Sequence, residues 1–431
     1  MHDVNALPNP IEQSPTTARG CRFCGRALVH VFVDLGMSPL CERILAADEL
    51  DRMEPFYPLR VYVCDGCRLV QLGEYVRPES IFREYAYFSS YSSSWVEHAR
   101  RYAETMIARL GLGPKSRVVE VASNDGYLLQ HFAARGVPVL GIDPAENVAQ
   151  AARARGVPTI ARFFGREAAA ELRDQGIRAD LLVANNVLAH VPDLNGFVAG
   201  LKTLLAADGT LTLEFPHLQR LIEGNQFDTI YHEHFSYFSL QTAIGVLSAH
   251  GLAVFDVDEL ATHGGSLRLY VRHAGSGESS PRVEAVLRRE QAAGYERLET
   301  YQLFHRRVEA TRWKLLEFLI SARRAGKQIV GYGAPGKGNT LLNYCGVRSD
   351  LIEYVVDRNP YKHGKYLPGT HIPIFPPERI HQTQPDVIVI LPWNLKDEIA
   401  RQLAFVRGWG AELVVPIPEV AVVPIPNEAE S

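Results

Sequence analysis

Apolar positions along this chain fall into short β-branched runs separated by stretches of helical spacing, the pattern of alternating strands and helices. Val118 to Val121 and Val139 to Ile142 are two such runs, with a helix-compatible segment from Tyr127 to Arg135 between them. Leu181 to Ala184, Thr210 to Phe215 and Leu267 to Arg272 predict further strands of the same block, and Ser94 to Leu110 predicts the helix that leads into it. From 282 to 326, Val283, Leu287, Leu298, Leu303, Val308, Trp313, Leu316 and Phe318 recur among charges, which predicts long helices broken near Gly294. A second alternation follows, with strands at Leu351 to Val356, Asp386 to Leu391 and Glu412 to Val415, while Leu59 to Val63 and Leu69 to Leu72 are short strands among loops upstream. The fold class expected is α/β, in about two or three domains. The boundaries expected are a frayed terminus at 1–20, a small domain at 21–80, an α/β domain at 81–281, a helical connection at 282–326 and a second α/β domain at 327–426.

The first βαβ unit carries a candidate ligand turn. Glu120 lies in its first strand, Ser123, Asn124, Asp125 and Gly126 form the turn, and the second strand ends on Asp143, followed by Pro144. In such units the ligand sits beyond the carboxyl ends of the strands, and an acid closing the second strand accepts hydrogen bonds from ribose hydroxyls. The turn is not G-x-G-x-x-G, so it does not offer bare glycines to a pyrophosphate. A nucleoside lacking that group fits better, and S-adenosylmethionine is one. Asn185 and Asn186, after the strand at Leu181, are placed on the adenine side of the same pocket.

Composition narrows the function classes. The chain has 431 residues, 46% of them hydrophobic, and a net charge of -4 with acids and bases interspersed, so no basic face is announced for nucleic acid and no polybasic anchor for lipid. No apolar run approaches the roughly 18 residues of a spanning helix, and a cytoplasmic protein is expected. Six cysteines then argue for metal rather than disulfides. Cys21 and Cys24, with Cys64 and Cys67, are two C-x2-C knuckles that supply four thiolates for a closed, structural zinc site. Cys41 and Cys345 read as small buried residues.

The later block opens with Gly331, Gly333 and Gly336 in G-x-G-x-x-G spacing, with Asp357 ending the next run where a ribose-binding acid is expected. The same stretch nearly matches a P-loop, but Gly338 occupies the Ser/Thr slot that would hold magnesium. Both matches share a glycine-rich loop with exposed backbone N–H groups, a helix N-terminus and Lys337, parts that suit a diphosphate. A tight turn in a purely structural domain uses the same glycines.

The densest chemistry is Tyr231-His232-Glu233-His234-Phe235-Ser236-Tyr237, with His190 after an earlier strand. Histidines, a carboxylate and phenols so close together are costly to bury without partners, and the spacing is not that of a zinc motif. A working site at the carboxyl edge of the sheet is expected.

In that order, the cysteine knuckles, the VVEVASNDG segment, the YHEHFSYFSL block, His263-Gly264-Gly265-Ser266-Leu267-Arg268 and the GYGAPGKGNTLLN loop make the chain resemble bacterial nucleotide-sugar C-methyltransferases, those that methylate C3 of 4-keto deoxysugars of the tetronitrose and mycarose type. The resemblance implies a zinc-stapled N-terminal domain, a Rossmann-like class I methyltransferase domain that binds S-adenosylmethionine, and a second Rossmann-like domain that helps bind the nucleotide sugar, which is thymidine-diphosphate-linked. It also implies an enolate intermediate, with His234 as general base, Glu233 tuning it, Tyr231 and His190 donating to the oxyanion and Tyr87 closing the pocket. Gly333, Ala334, Lys337 and Asn339 would serve the nucleotide end, and His263 and Arg268 the substrate. A monomer or small homo-oligomer is expected. An O- or N-methyltransferase would use the same donor turn, and an NAD-dependent oxidoreductase would use the Gly331 loop.

Overall fold

A computed structural model describes residues 20–77, 88–275 and 277–426. Among these residues seventeen strands follow in chain order. β1 (His30–Ser38) and β2 (Tyr57–Val63) pair antiparallel, and β3 is Val70–Leu72. The central strands are β4 (Val118–Val121), β5 (Val139–Asp143), β6 (Thr159–Ala161), β7 (Ala179–Asn185) and β8 (Leu205–Pro216). β9 (Ser236–Tyr237) pairs with β3, and β10 (Leu252–Leu260) and β11 (Ser266–His273) complete the central sheet in the order β10-β11-β8-β7-β4-β5-β6. β4 to β8 run parallel and β10 and β11 antiparallel. β4 is fully buried, as a strand covered on both faces must be. The chain leaves β4 toward β5 on one side and returns to β7 on the other, so the strand order reverses at the carboxyl end of β4, where such sheets bind ligands.

The second sheet is built from β12 (Ile329–Tyr332), β13 (Val355–Val356), β14 (Ile374–Phe375), β15 (Val387–Ile390), β16 (Glu412–Val415) and β17 (Ala421–Val423), in the order β14-β13-β12-β15-β16-β17. β13 is shorter than the run from Leu351 predicts: the amides of Leu351 and Ile352 both close a turn on the Arg348 carbonyl, and Ile352 is buried as a turn residue. The helix expected at 127–135 contracts likewise to Leu129–Ala133. The helical stretch breaks as Gly294 predicts, into Pro281–Ala292, Leu298–Gln302 and Phe304–Arg324.

Contacts cluster into two units that cut across the linear boundaries expected from the sequence. Of the described residues, one unit comprises those within 20–28, 64–217 and 233–296, and the other those within 29–63, 218–232 and 297–426. Residues 29–63 join the second unit because Phe32 of β1 stacks on Phe304 at 4.7 Å and meets Tyr301 at 6.3 Å. Residues 218–232 join it through the Asn225 Nδ2 bond to Thr311 Oγ1, 2.7 Å, and the Asp228 bond from Trp393. Tyr231 therefore belongs to one unit and Glu233 and His234 to the other.

Candidate active site

The four thiolates converge. The Sγ atoms of Cys21, Cys24, Cys64 and Cys67 all lie within 4.8 Å of one another, with Cys21 to Cys67 and Cys24 to Cys64 each 3.5 Å apart. A tetrahedral zinc with bonds of about 2.3 Å sets its sulfurs about 3.8 Å apart, so the cage fits that ion. Gln71 Nε2 donates to Cys21 Sγ at 3.1 Å and the Gly66 amide to Cys64 Sγ at 3.4 Å, orienting the thiolates. The knuckles are not a free-standing domain. Cys21 and Cys64 belong to the core cluster of the first unit, Arg22 Nη1 donates to the Pro192 carbonyl at 3.1 Å, and Asn195 Nδ2 to the Phe23 carbonyl at 3.0 Å.

At the end of β4 the backbone turns sharply, with Ala122 at φ 59°, Asn124 at φ 49° and Gly126 at φ 78°. Non-glycine residues in this left-handed region carry strain that persists where the surroundings fix it. Two features fix it here. Asp143 Oδ2 accepts from the Asn124 amide at 2.9 Å and Oδ1 from the Ala145 amide at 2.9 Å, locking the carboxylate at the carboxyl end of β5. Gly141 leaves room for Ser123, whose Oγ would stand 2.4 Å from a Cβ built there. Burial raises the pKa of Asp143, partly offset by those two amides. Each oxygen keeps a second lone pair for a ribose hydroxyl. Glu120 is pushed well above the usual carboxyl range by burial and by the acids at 143 and 125. Pro144 is half-buried beside Asp143. Asp125 has another task, its Oδ2 being held by Arg155 Nη1 at 2.6 Å and Ser90 Oγ at 2.5 Å. Replacing Asp143 with Ala is expected to weaken S-adenosylmethionine binding by about 1 to 3 kcal/mol, the range for hydrogen bonds to a charged group, as read by calorimetric titration.

The histidine cluster divides. His190 and His234 meet edge to face with ring centroids 4.7 Å apart, and the Phe235 amide donates to the Ala189 carbonyl at 2.7 Å, which pins the two segments together. Burial pushes His190 down to about 4, against the pull of the Glu233 carbonyl, so its imidazole is neutral at physiological pH. His232 is turned elsewhere, its Nε2 3.3 Å from the Pro58 carbonyl and its ring against Tyr57. Glu233 and His234 are both buried, Tyr231 half-buried, and Tyr87 lies outside the described residues. His263, at φ 55°, sets its ring 5.2 Å from Trp95.

The glycine loop corrects the expectation of exposed amides. The Gly336 amide donates to Glu42 Oε1 at 3.0 Å and the Ala334 amide to Asp357 Oδ2 at 2.7 Å, so carboxylates of the same unit already occupy the positions a diphosphate would need. Lys337 Nζ bonds Asn394 Oδ1 at 2.5 Å and lies 4.5 Å over the Trp393 ring, while Asn339 Nδ2 donates to the Cys41 carbonyl at 2.6 Å. The glycines answer to packing: a Cβ at Gly331 would meet Val355 at 2.7 Å and one at Gly333 would meet Pro392 at 2.6 Å. Asp357 repeats the arrangement of Asp143, its other oxygen accepting from the Asn359 amide at 2.8 Å.

Three residues escaped the sequence reading. Glu214 is paired with Arg268, and the antiparallel register of β8 with β11, which sets the two opposite each other, is the signal that could have found it. Glu290, fully buried, accepts from the Leu240 and Gln241 amides at 2.6 and 2.9 Å and bonds His217 Nε2 at 2.7 Å, joining the start and the end of the segment that carries the histidine cluster. No local pattern announces that pairing.

Known proteins match this chain in three successive stretches. Family models match residues 21–82 as a zinc binding domain, 95–257 as a methyltransferase domain and 261–418 as a C-methyltransferase C-terminal domain. The C-methyltransferase NovU of Streptomyces niveus is 37% identical over 405 residues, covering 94% of this chain and 96% of that one. The ubiquinone biosynthesis O-methyltransferase of Rhodopseudomonas palustris is 24% identical over 30% of this chain and 60% of its own. Among solved structures, the magnesium protoporphyrin IX methyltransferase of Synechocystis with bound S-adenosylmethionine is 17% identical, covering 47% of this chain and 100% of that one with a TM-score of 0.34. With the three family models matched in succession and 37% identity to NovU over nearly its whole length, the chain belongs to the bacterial S-adenosylmethionine-dependent C-methyltransferases.

Proposed function

We propose that the acceptor is a nucleotide-linked 4-keto deoxysugar, thymidine-diphosphate-linked, and that the methyl group goes to C3 through an enolate. The observation that carries the reading is the buried His190 and His234 pair at the carboxyl edge of the sheet that holds the donor turn. A sugar C–H is too weak an acid to be methylated directly, but a neighbouring ketone lets the carbanion delocalise onto oxygen, so one base and one or more donors are required. His234 takes the proton. Glu233 tunes it. His190, neutral because of its burial, carries one N–H, which the Glu233 carbonyl draws, so His190 positions that segment while Tyr231, two residues before Glu233, donates its phenol to the developing oxyanion. Tyr87 closes the pocket in this reading. S-adenosylmethionine supplies an electrophilic methyl group, and Asp143, Ser123, Asn124 and Gly126 hold its nucleoside and methionine. The nucleotide end is not assigned to the Gly333 to Asn339 loop, whose donors are already engaged within its own unit.

Heteronuclear NMR of the product tests the assignment. A methyl carbon bonded to C3 is expected. A methyl on C5, which also flanks the ketone, would move the reacting carbon, and an O- or N-linked methyl would overturn the carbon-acid chemistry. Titration with NAD is expected to give no saturable binding, because the amides of the Gly331 loop that a pyrophosphate would need are bonded to Glu42 and Asp357.

A further inference from the structure

The second sheet repeats the order of the first. β14-β13-β12-β15-β16 run parallel as β6-β5-β4-β7-β8 do, with an antiparallel strand, β17 or β11, beyond the last. β12 thus corresponds to β4 and β13 to β5. The turn and the acid recur at the same places. Gly333, directly after β12, is left-handed at φ 86°, as Ala122 after β4 is at φ 59°. Asp357, directly after β13, accepts from the Ala334 amide at 2.7 Å through Oδ2 and from the Asn359 amide at 2.8 Å through Oδ1, the same clamp that the Asn124 and Ala145 amides make on Asp143. Each oxygen keeps a lone pair, so together they can accept from two neighbouring hydroxyl groups.

Beside this acid an open groove of about 520 Å³ lies at the carboxyl edge of the second sheet, a volume in the range of small-ligand sites. Its lining comes from the ends of successive strands: Tyr332 closes β12, Arg358 follows Asp357, and His381 lies in the helix Arg379–Thr383 after β14. Phe405, from the chain after β15, forms the far wall, its ring stacked on that of His381 with centroids 3.8 Å apart and planes 14° apart. His363 also faces the groove, and its Nε2 lies 2.7 Å from the Asp357 carbonyl, which ties the wall to the acid. Both histidine rings and Phe405 are at least partly exposed, so the surface is open to a ligand.

The charges around the groove disfavour a phosphate. Arg358 Nη1 lies 3.8 Å from Glu398, and Glu378 adds a carboxylate to the lining. The Gly336 amide, where a diphosphate would sit at the start of its helix, is already held by Glu42. A ligand with a flat base to stack, two vicinal hydroxyls and no diphosphate meets these conditions.

We infer that this groove is a second nucleoside site, one for a ribonucleoside of the adenosine class. The 2′ and 3′ hydroxyls donate to the two oxygens of Asp357, and the base lies against His381 and Phe405. S-adenosylmethionine and the S-adenosylhomocysteine left after methyl transfer carry such a nucleoside, and both are present whenever the enzyme turns over. A 2′-deoxynucleoside offers Asp357 only one of the two hydroxyls. The inference does not depend on the keto-sugar reading above.

Equilibrium dialysis of the full chain with saturating S-adenosylmethionine and excess labelled adenosine provides the test, read as total nucleoside bound per chain. A second equivalent beyond the first is expected. Because His381 is exposed, His381→Ala is expected to keep the wild-type melting temperature while weakening the second equivalent by about tenfold or more and sparing the first. In the wild type, 2′-deoxyadenosine and thymidine are each expected to hold the second site about tenfold or more weaker than adenosine, for want of one bond to a carboxylate. ADP is expected to be weaker as well, since its diphosphate would meet Glu42. A total of one equivalent would overturn the site. A second equivalent untouched by His381→Ala would remove it from the groove, and thymidine or 2′-deoxyadenosine binding as tightly as adenosine would overturn the role of Asp357. None of these outcomes alters where the methyl group goes on the acceptor, which is read from the product.

Discussion

His234→Asn is expected to leave both ligands bound and to lower the methylation rate by at least about a hundredfold, the lower range for loss of a positioned base. Asparagine roughly matches the imidazole in size, and the segment is pinned by backbone bonds that do not depend on the ring, among them Phe235 to Ala189 and Leu72 to Phe235. The loss should therefore appear in kcat rather than in either binding constant. His190 does not compensate: burial holds its pKa near 4, so it is a poor proton acceptor at neutral pH. Glu233→Gln should do less harm and leave a pH signature. A neighbouring carboxylate raises a histidine's pKa, so removing its charge moves the acid limb of the rate profile to lower pH. A limb that stays in place would detach Glu233 from the base.

The second large effect concerns the metal. Cys21→Ser or Cys64→Ser should release zinc, seen as loss of stoichiometric metal by atomic emission, and should lower thermal stability, because a thiolate cage couples metal affinity to folding. Activity should fall with it. The knuckle carries Arg22 and Phe23, which hold the Pro192 carbonyl and Asn195, and Pro192 is two residues beyond His190. Loss of the cage thus loosens the segment that bears His190, whose ring packs on His234. Stoichiometric zinc retained after two of the four cysteines are replaced would contradict the site.

What could be read in the sequence was local. The strand ending on Asp143, the turn from Ser123 to Gly126 and the paired cysteine knuckles lie within a few residues of the signals that announce them, and the geometry follows from those signals. The Gly331 loop carries the same kind of signal and misleads, because its glycines are explained by Val355 and Pro392 and its amides by Glu42 and Asp357. Glu42 and Gly336 are 294 positions apart, and no local pattern couples them. Glu290 with His217 is hidden for the same reason, since a buried carboxylate that bonds two amides and an imidazole becomes visible only once the chain has folded back on itself. The division of residues 29–63 and 218–232 from their sequence neighbours has the same origin, in aromatic and hydrogen-bonded contacts to the later helices.

Proton exchange in deuterated water tests carbon-acid chemistry most directly. The enzyme is mixed with the keto sugar and S-adenosylhomocysteine, so that deprotonation can occur without methyl transfer, and the proton at C3 is followed by NMR. Enzyme-dependent loss of that signal is expected for the wild type, with the rate falling in His234→Asn alongside methylation. A wild-type enzyme that methylates the sugar yet exchanges no carbon-bound proton would contradict the enolate, and an exchange rate unchanged in His234→Asn would remove His234 as the base.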